Sequence, residues 1–286
     1  KEKLQEAELR HLQTVKELIP ITEQSAVLSM VKTLCNEIED ICNGIFLLGE
    51  LSDRTKDRLV SYGELLSSKI IAAKLKLEVV FCEWKDSREI IITNSNFGSA
   101  AVDFAVTDKK VSEYFKASES ALFILPGFIS SNETGVNTTL GRGGSDYTAA
   151  IIAAAIDAKV LEIWTDVSGM MTADPRVVSN VKIIPQISYQ EAMELSHFGA
   201  KVIYPPTIQP VRYKGIPTWI KNTFAPQDIG TVIQSDTNDF ENSIRGISSI
   251  NNVALLSLEG SGMAGVPGFS KRLFEAIKKK KINVIL

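Results

Sequence analysis

The segment Leu140–Thr148, with the sequence LGRGGSDYT, combines residue types that suit the binding of an anion. Its three glycines let the backbone turn tightly and approach a ligand closely. Ser145 is placed to cap an apolar helix predicted over Ala149–Ala158, and the first turn of a helix offers unbonded N–H groups to an anion. Arg142 adds a planar guanidinium that can bind carboxylate or phosphate through two hydrogen bonds. Asp146, in the first turn, is placed to interact with the helix dipole or to orient a reacting group.

Two well-known phosphate-binding patterns do not occur in this chain. It contains no GxxxxGK[ST] motif, which argues against a P-loop enzyme, and no HRD or DFG motif, which argues against a protein kinase. A simpler interpretation stays open, in which Leu140–Thr148 is a glycine-rich turn that caps an ordinary helix. The presence of Arg142, Ser145 and Asp146 beside the glycines favours a binding site.

A second group of polar residues lies on a helix predicted from about Asp53 to Leu75, with Ser52 or Asp53 as its N-cap. Ser61, Glu64 and Ser68 share a face that differs from the apolar stripe, so we expect that face to be available to a ligand. The stripe consists of Leu59, Tyr62, Leu66 and Ile70. Glu64 could equally be a solvated helix residue.

The rest of the chain indicates which elements position these residues. Residues 24–45 carry apolar side chains at alternating spacings of four and three, which predicts a helix packed against the one before it. From Glu78 onwards, short apolar runs alternate with helical segments. Runs without internal alternation predict strands buried on both faces, in a mostly parallel sheet sandwiched between helices, which is an α/β fold. The runs are Val79–Cys82, Ile90–Thr93, Leu122–Leu125, Val160–Trp164 and Thr218–Lys221. Because such sheets bind ligands beyond the carboxyl ends of their strands, we expect the site at residues 126–146 and 165–176.

Length and composition narrow the class of protein. The 286 residues suit one large α/β domain or two domains, and 44% hydrophobic with 23% charged residues is typical of a globular protein. The net charge of −3 gives no electrostatic reason to expect nucleic acid or an anionic membrane as a partner. The three cysteines form neither a disulfide framework nor a metal-binding pattern, which indicates a reducing, cytoplasmic setting. Cys35 and Cys42 are seven residues apart on one helical stripe and are predicted to be buried thiols.

Four stretches together resemble the aspartate kinases, within the amino acid kinase family. They are LGRGGSDYTAA from Leu140, VSYGELLS over Val60–Ser67, IWTDVSGMMTADPR over Ile163–Arg176 and EAMELSHFGAKVIYP over Glu191–Pro205. The match covers nearly the whole chain in the right order. The resemblance implies an enzyme that uses ATP and Mg²⁺ to phosphorylate the side-chain carboxylate of L-aspartate, the first step towards lysine, threonine and methionine.

The resemblance also implies roles for single residues. Arg142 and Asp146 would be catalytic, with Asp146 organising the catalytic centre. Glu64 would bind the amino group of aspartate and Arg142 its α-carboxylate, while Gly144 and Ser145 complete the substrate site. No residue is predicted as a metal ligand. The nucleotide would be held by Thr165, Asp166, Met171, Arg176, Lys201 and Val202.

Two of these nucleotide assignments carry an alternative. The family often has Tyr where this chain has Met171. A stacking role at this position is therefore open, although a thioether could still cover a base. Lys201 could equally be a surface lysine.

One segment of the family pattern, Lys-Phe-Gly-Gly-Thr-Ser, does not occur in this chain. In the family it supplies a catalytic lysine and a glycine phosphate loop. Phosphoryl transfer depends on positioning and charge neutralisation, so we expect the chain by itself to be inactive. The chain starts without Met, inside a predicted helix, and we interpret it as a fragment with this segment upstream.

A polar stretch near Gln234–Asn242 predicts a boundary between a kinase domain over residues 1–238 and a module over residues 244–286. The module resembles the start of a regulatory ACT domain, with a strand at Val253–Leu258, a helix at Pro267–Lys280 and a strand at Ile282–Leu286. This stretch resembles the bifunctional aspartate kinase–homoserine dehydrogenases more than the shorter enzymes.

ACT domains bind amino acids between paired copies, which implies a homodimer or tetramer inhibited by lysine or threonine. Ser261 and Met263, in the glycine-rich loop Gly260–Gly268, are the predicted regulatory residues.

Two other functions stay open. The chain could belong to a kinase of another carboxylate or carbamate with the same fold. It could also be a non-catalytic amino-acid sensor, in which the kinase body is a scaffold.

Overall fold

The computed structural model describes residues 2–78, 82–199, 202–235, 244–251, 253–254, 268–280, 282 and 284. The α-helices in these ranges are α1 (Glu2–Leu18), α2 (Gln24–Leu48), α3 (Asp53–Glu78), α4 (Phe104–Ala117), α5 (Gly144–Ala155), α6 (Tyr189–His197), α7 (Pro205–Lys214) and α8 (Phe269–Lys279). The strands are β1 (Cys82–Trp84), β2 (Ile92–Thr93), β3 (Leu122–Ile124), β4 (Ile129–Asn132), β5 (Asn137–Thr139), β6 (Leu161–Thr165), β7 (Gln186–Ser188), β8 (Thr218–Asn222) and β9 (Thr231–Gln234). Within the described part of the chain, every helix is too short or too polar to cross a membrane.

The first three helices pack together, as the apolar spacing predicts. Val15 of α1, Val31 and Cys35 of α2, and Leu66 and Ile70 of α3 are buried in one cluster. The predicted helix at residues 24–45 is confirmed and continues to Leu48. Ser52, one of the two predicted N-caps, accepts a hydrogen bond at its Oγ from the amide of Thr55 at 3.2 Å, so α3 begins where the sequence indicates.

The strands form three sheets in which parallel pairing predominates. β1 pairs with β3 in parallel, and the second sheet has the order β2-β4-β5. The third has the order β6-β8-β9-β7, with an antiparallel pair in its centre. Four of the six pairings between described strands are parallel. Helices α3 and α4 pack against the first two sheets, and α5 and α6 against the third, which confirms the predicted α/β class.

Strands β4 and β5 were not predicted, because most of their residues are polar. Ser130 and Thr138 are nevertheless fully buried. The hydroxyls of Ser130 and Thr138 lie 2.9 Å apart, and that of Thr138 lies 2.6 Å from the hydroxyl of Thr93. Polar groups that satisfy each other can be buried at little cost, so a hydrophobic pattern does not detect strands of this kind.

The strands predicted at Ile90–Thr93 and Val160–Trp164 differ most clearly from the structure. The run Ile90–Thr93 contributes only β2, because the amides of Ile90 and Ile91 bond to the carbonyl of Ser87 and continue a 3₁₀ turn. The strand predicted at Val160–Trp164 is β6, and it is not buried on both faces as predicted. Its residues alternate, so that Leu161 and Ile163 are buried whereas Glu162 and Trp164 are exposed.

The largest cluster of buried side chains surrounds the third sheet. Ile163, Ile187, Ile220 and Ile233, one from each of its strands, meet residues of α5 and α7 there. This core holds the carboxyl end of β6 and the start of α5 in place.

The helix predicted at Pro267–Lys280 is confirmed as α8. Both strands predicted around it, Val253–Leu258 and Ile282–Leu286, lie mostly outside the described residues. Most of the polar boundary at Gln234–Asn242 lies outside them as well.

Candidate active site

The loop Leu140–Gly143, called the glycine loop below, connects β5 to α5. Gly143 is the N-cap of α5 and has a left-handed backbone, with a φ of 68°. A Cβ at this position would lie 2.3 Å from the Cβ of Tyr204 and 2.6 Å from its Cγ. A side chain at Gly143 would therefore be strained and would also displace Tyr204, the N-cap of α7.

Ser145 does not cap α5, which corrects the sequence-based prediction. The helix already begins at Gly144, and Ser145 is its exposed second residue. No side chain in the described part of the chain caps this helix. The amide of Gly144 donates to the carbonyl of Gly141 at 3.1 Å, so among the first amides of α5 those of Ser145 and Asp146 remain for an anionic ligand.

Arg142 and Asp146 flank the start of α5 in different environments. Arg142 is exposed and forms no ion pair with another residue that the structure describes. Asp146 is half-buried, and desolvation raises the pKa of its carboxyl. Among the described residues, neither group therefore has a partner of opposite charge.

Glu64 is half-buried on α3, and desolvation raises the pKa of its carboxyl. Ser61 and Ser68 were predicted to share a ligand-facing surface with Glu64. Both are buried and form hydrogen bonds within the protein, so this prediction is wrong. Ser61 Oγ donates to the carbonyl of Arg58 at 2.7 Å and accepts a hydrogen bond from Asn137 at 3.2 Å. Ser68 Oγ accepts a hydrogen bond from the indole of Trp84 at 3.0 Å.

Asp57 is a buried residue that the sequence analysis did not single out. Its Oδ2 accepts hydrogen bonds from the amides of Gly98 at 2.9 Å and Thr139 at 3.0 Å, and its Oδ1 accepts one from the Thr139 hydroxyl at 2.9 Å. A Cβ at Gly141 would lie 3.1 Å from the carbonyl oxygen of Gly98. Since Glu64 lies seven residues, or two helical turns, after Asp57, both occupy the same face of α3. Asp57 therefore ties the helix that carries Glu64 to the strand that enters the glycine loop.

Phe128 is a second residue that sequence reasoning missed. Its backbone is left-handed, with a φ of 69°, which is uncommon for a bulky residue. Its amide donates to Thr148 Oγ1 of α5 at 2.9 Å, and a Cβ at Gly144 would lie 2.9 Å from its ring. Strained backbone conformations cluster at functional sites. The signal in the sequence was the Pro-Gly-Phe turn that follows β3.

The residues predicted to hold a nucleotide begin at the carboxyl end of β6. Thr165 is the last residue of this strand, and its hydroxyl donates to the exposed carboxylate of Asp166 at 3.2 Å. Arg176 is exposed, and its guanidinium forms paired hydrogen bonds of 3.0 and 2.7 Å to the carboxylate of Asp174. Met171 is half-buried and forms an isolated β-bridge with Ile183.

Lys201 lies outside the described residues, as do Ser261 and Met263 of the predicted regulatory loop. Val202 is half-buried and packs against the core of the third sheet. Two residues later, Tyr204 contacts Gly143. The segment that follows Lys201 therefore contacts the glycine loop. Through this contact Val202, a predicted nucleotide-binding residue, lies near the loop that carries the predicted substrate-binding residues.

Two open clefts elsewhere in the described part of the chain contain none of the predicted site residues. One, of about 560 Å³, lies beside β2 and is lined by Thr93, Asp103 and Asn132, among others. The other, of about 750 Å³, lies between α2 and α3. No cluster of three or more His, Cys, Asp or Glu side chains suited to a metal ion occurs among the described residues.

Comparison with known proteins shows similarity along the whole chain. Bifunctional aspartokinase/homoserine dehydrogenase 1 of Arabidopsis thaliana, a chloroplastic protein, is 36% identical over 285 residues, covering 97% of this chain and 31% of the relative. Lysine-sensitive aspartokinase 3 of Escherichia coli is 37% identical over 256 residues, covering 87% of this chain and 57% of the relative. The chain thus spans about a third of the length of the Arabidopsis relative and somewhat over half of the length of the E. coli relative.

Solved structures show the same similarity. The crystal structure of E. coli aspartokinase III in complex with aspartate and ADP (R-state) has a TM-score of 0.85 at 32% identity, covering 100% of this chain and 63% of that one. The structure of that protein with lysine and aspartate (T-state) has a TM-score of 0.77.

Two protein families match the sequence. Residues 256–286 match the ACT domain, as the resemblance of the C-terminal module implies. Residues 4–222 match the amino acid kinase family, which is more than half of the chain. On this evidence the chain belongs to the amino acid kinase family.

Proposed function

We propose that this chain is part of an aspartate kinase, which transfers a phosphoryl group from ATP to the side-chain carboxylate of L-aspartate to give 4-phospho-L-aspartate. The observation that carries the proposal is the start of α5. There an uncapped helix follows the glycine loop and the guanidinium of Arg142, which forms no ion pair with any described residue. The similarity to aspartokinases over 97% of the chain supports the same reaction.

Aspartate suits the charges that the described residues leave without partners. Its α-carboxylate would bind the guanidinium of Arg142, with Gly144 and Ser145 beside it at the start of α5. Its amino group would bind Glu64. Burial raises the pKa of this carboxyl, and the ligand's ammonium would supply the positive charge that favours ionisation.

The nucleotide would bind beyond the carboxyl end of β6. Thr165 and Asp166 lie there, and Met171 and Arg176 follow on the same segment. Lys201 and Val202 would flank the nucleotide from the start of the segment that reaches Tyr204. The complex of E. coli aspartokinase III with aspartate and ADP supports ATP as the phosphoryl donor.

The transfer itself requires no general base. The side-chain carboxylate of aspartate is ionised at neutral pH and can attack the γ-phosphorus in line. Mg²⁺ would neutralise charge on the phosphates. It is commonly held by phosphates and one or two carboxylates, and Asp146, half-buried at the start of α5, is a suitable carboxylate. The N–H groups at the start of α5 would stabilise negative charge that develops during transfer.

The proposal extends to the organisation and regulation of the complete enzyme. Residues 1–238 would form the catalytic domain and residues 244–286 the first part of an ACT domain. An inhibitory amino acid, lysine or threonine, would bind in that domain, with Ser261 and Met263 in its loop, in a homodimer or tetramer. The complex of E. coli aspartokinase III with lysine supports an amino acid in this role. A reducing, cytoplasmic setting stays our prediction, since the three cysteines are unpaired.

A coupled assay of ADP release tests the activity in the complete natural protein. We expect turnover with aspartate and little or none with glutamate or acetylglutamate. Turnover with another carboxylate instead would identify a different kinase of the same fold. No turnover with any acceptor, together with saturable lysine or threonine binding, would favour the non-catalytic sensor.

A further inference from the structure

The cleft between α2 and α3 has an unusual set of charges. It has a volume of about 750 Å³ and is lined by three arginines, Arg54, Arg58 and Arg88, but by a single carboxylate, that of Glu37. The chain as a whole carries a net charge of −3. A concentration of positive charge in one concave surface of an acidic protein indicates a site for an anion.

Two of the charged groups in this cleft already have partners. Arg88 forms paired hydrogen bonds to Asp86, from Nε to Oδ1 at 2.9 Å and from its terminal nitrogen to Oδ2 at 2.6 Å. Glu37 accepts a hydrogen bond from the hydroxyl of Tyr62 at 2.7 Å. These contacts hold one side of the cleft in shape, and the tyrosine hydroxyl partly satisfies the carboxylate of the lining.

Arg54 forms no ion pair with any residue that the structure describes. Arg58 forms none either, although it lies within hydrogen-bond reach of the Tyr62 side chain. Arg54 and Arg58 lie four residues apart in the first two turns of α3, so their side chains leave the same face of the helix. Like charges at this spacing repel each other, which destabilises the helix slightly. Hydroxyls of Ser52 and Thr55, at the start of the same helix, also line the cleft. An anion would relieve the repulsion and bind both guanidiniums.

We propose that this surface, called the arginine cleft below, binds a small, multiply charged oxyanion through Arg54 and Arg58, while Arg88, paired with Asp86, forms one wall of it. A phosphorylated metabolite or a polycarboxylate would satisfy this chemistry, because a guanidinium binds either group through two hydrogen bonds. The proposal does not depend on the kinase activity, since the lining of the arginine cleft shares no residue with the predicted site.

An anion in the arginine cleft would contact elements that lead to the candidate active site. Tyr62 lines the cleft two residues before Glu64 on α3. Asn137 lines it from β5 and donates to Ser61 of α3 at 3.2 Å. The bound anion would therefore hold together the helix that carries Glu64 and the strand that enters the glycine loop.

Calorimetric titration of the complete natural protein with pyrophosphate and with citrate, at constant ionic strength, tests the proposal. We expect saturable binding of at least one probe, and the tighter of the two identifies phosphate or polycarboxylate as the preferred chemistry. The double variant Arg54→Gln/Arg58→Gln should bind at least about tenfold more weakly, because it loses two charge-assisted pairs. The affinity of Arg54→Lys/Arg58→Lys should lie between those of the unchanged protein and the glutamine double variant, because lysine keeps the charge but lacks the planar guanidinium.

Three controls establish whether the anion binds in the arginine cleft itself. Arg10→Gln/Arg212→Gln removes two exposed arginines elsewhere and should leave the affinity unchanged. Arg142→Gln, in the glycine loop, removes anion binding at the candidate active site and should leave binding in the arginine cleft in place. Single variants of Arg54 and Arg58 replace the double variant if the latter does not fold. Absence of saturable binding, equal binding by the cleft variants, or loss of all saturable binding in Arg142→Gln would each overturn the proposal. So would sedimentation showing that the cleft variants convert a dimer to a monomer, because a second copy would then be the occupant.

Discussion

The carboxylate of Asp57 accepts hydrogen bonds from both the amide and the hydroxyl of Thr139, at 3.0 and 2.9 Å. Thr139 is the last residue of β5, and the glycine loop follows it. Asp57 is only 2% exposed, so these contacts are shielded from water. This buried carboxylate therefore helps to fix the position of the glycine loop relative to α3.

Asp57→Asn should destabilise the fold and disturb the candidate site. An amide oxygen can still accept from the amides of Gly98 and Thr139, with its NH₂ group turned to the Thr139 hydroxyl, but it is an uncharged and therefore weaker acceptor. We expect a loss of about 1–3 kcal/mol in the free energy of unfolding. Urea unfolding measures this loss. Asp40→Asn, an exposed residue of α2, is the matched control. Equal midpoints for both variants would show that the Asp57 contacts contribute nothing to stability.

Gly143→Ala should destabilise the protein more than Gly49→Ala does. The two glycines have nearly the same φ, 68° and 65°, so an alanine at either one is strained by about 1–2 kcal/mol. Only Gly143 has a neighbour within 4 Å of the added Cβ, and overpacking there should add about 1–3 kcal/mol. The difference between the two unfolding free energies isolates the contact with Tyr204. A difference near zero would contradict the close packing of α7 on the glycine loop.

Arg142→Ala, in the complete natural protein, should raise the KM for aspartate strongly and leave that for ATP nearly unchanged. The loss of a charge-assisted pair with the α-carboxylate should weaken binding by about 2–4 kcal/mol. Steady-state kinetics with each substrate varied in turn measures this, with Arg10→Ala as a surface control. If the affinity for ATP falls and that for aspartate does not, the glycine loop binds the nucleotide instead.

Glu64→Gln should stabilise the protein at neutral pH while weakening aspartate binding. Desolvation raises the pKa of Glu64 above its ordinary value of 4.5, so the folded state holds this proton more tightly than the unfolded state. The protonated carboxyl makes its full contribution to stability below pH 4.5. That contribution is lost as the pH rises through the pKa that Glu64 has in the folded state. The variant should therefore gain stability relative to the wild type above that range and lose the gain below it. Chemical unfolding at several pH values measures this, with the exposed Glu50→Gln as a control. If the stability gained by Glu64→Gln did not change with pH, desolvation of the Glu64 carboxylate would not be its cause.

Asp166→Ala, again in the complete natural protein, should weaken nucleotide binding much more than aspartate binding. Asp166 directly follows β6, at the edge where sheets of this kind bind ligands. Glu162→Ala removes an exposed carboxylate from the same strand and is the matched control. Calorimetric titration with the nucleotide compares the two variants. Unchanged ATP affinity in Asp166→Ala would remove this residue from the site.

The sequence alone was enough to predict the α/β class, the first three helices and the motifs that belong to the amino acid kinase family. These features are local, because the apolar spacing of a helix and the residues of a motif lie within one short segment. The glycine loop was predicted on the same grounds, and Gly143 does have the left-handed backbone that such a turn requires.

Only the tertiary structure revealed how the site is held. Asp57 and Thr139 are 82 residues apart in the chain, and Gly143 contacts Tyr204 of a later helix. The buried hydroxyls of Thr93 and Thr138 likewise pair across 45 residues. Whether a polar side chain is buried and satisfied, or exposed and available to a ligand, depends on partners that the fold brings from distant segments. For this reason the sequence indicated that Ser61 and Ser68 could contact a ligand, whereas in the structure both are buried and form hydrogen bonds within the protein.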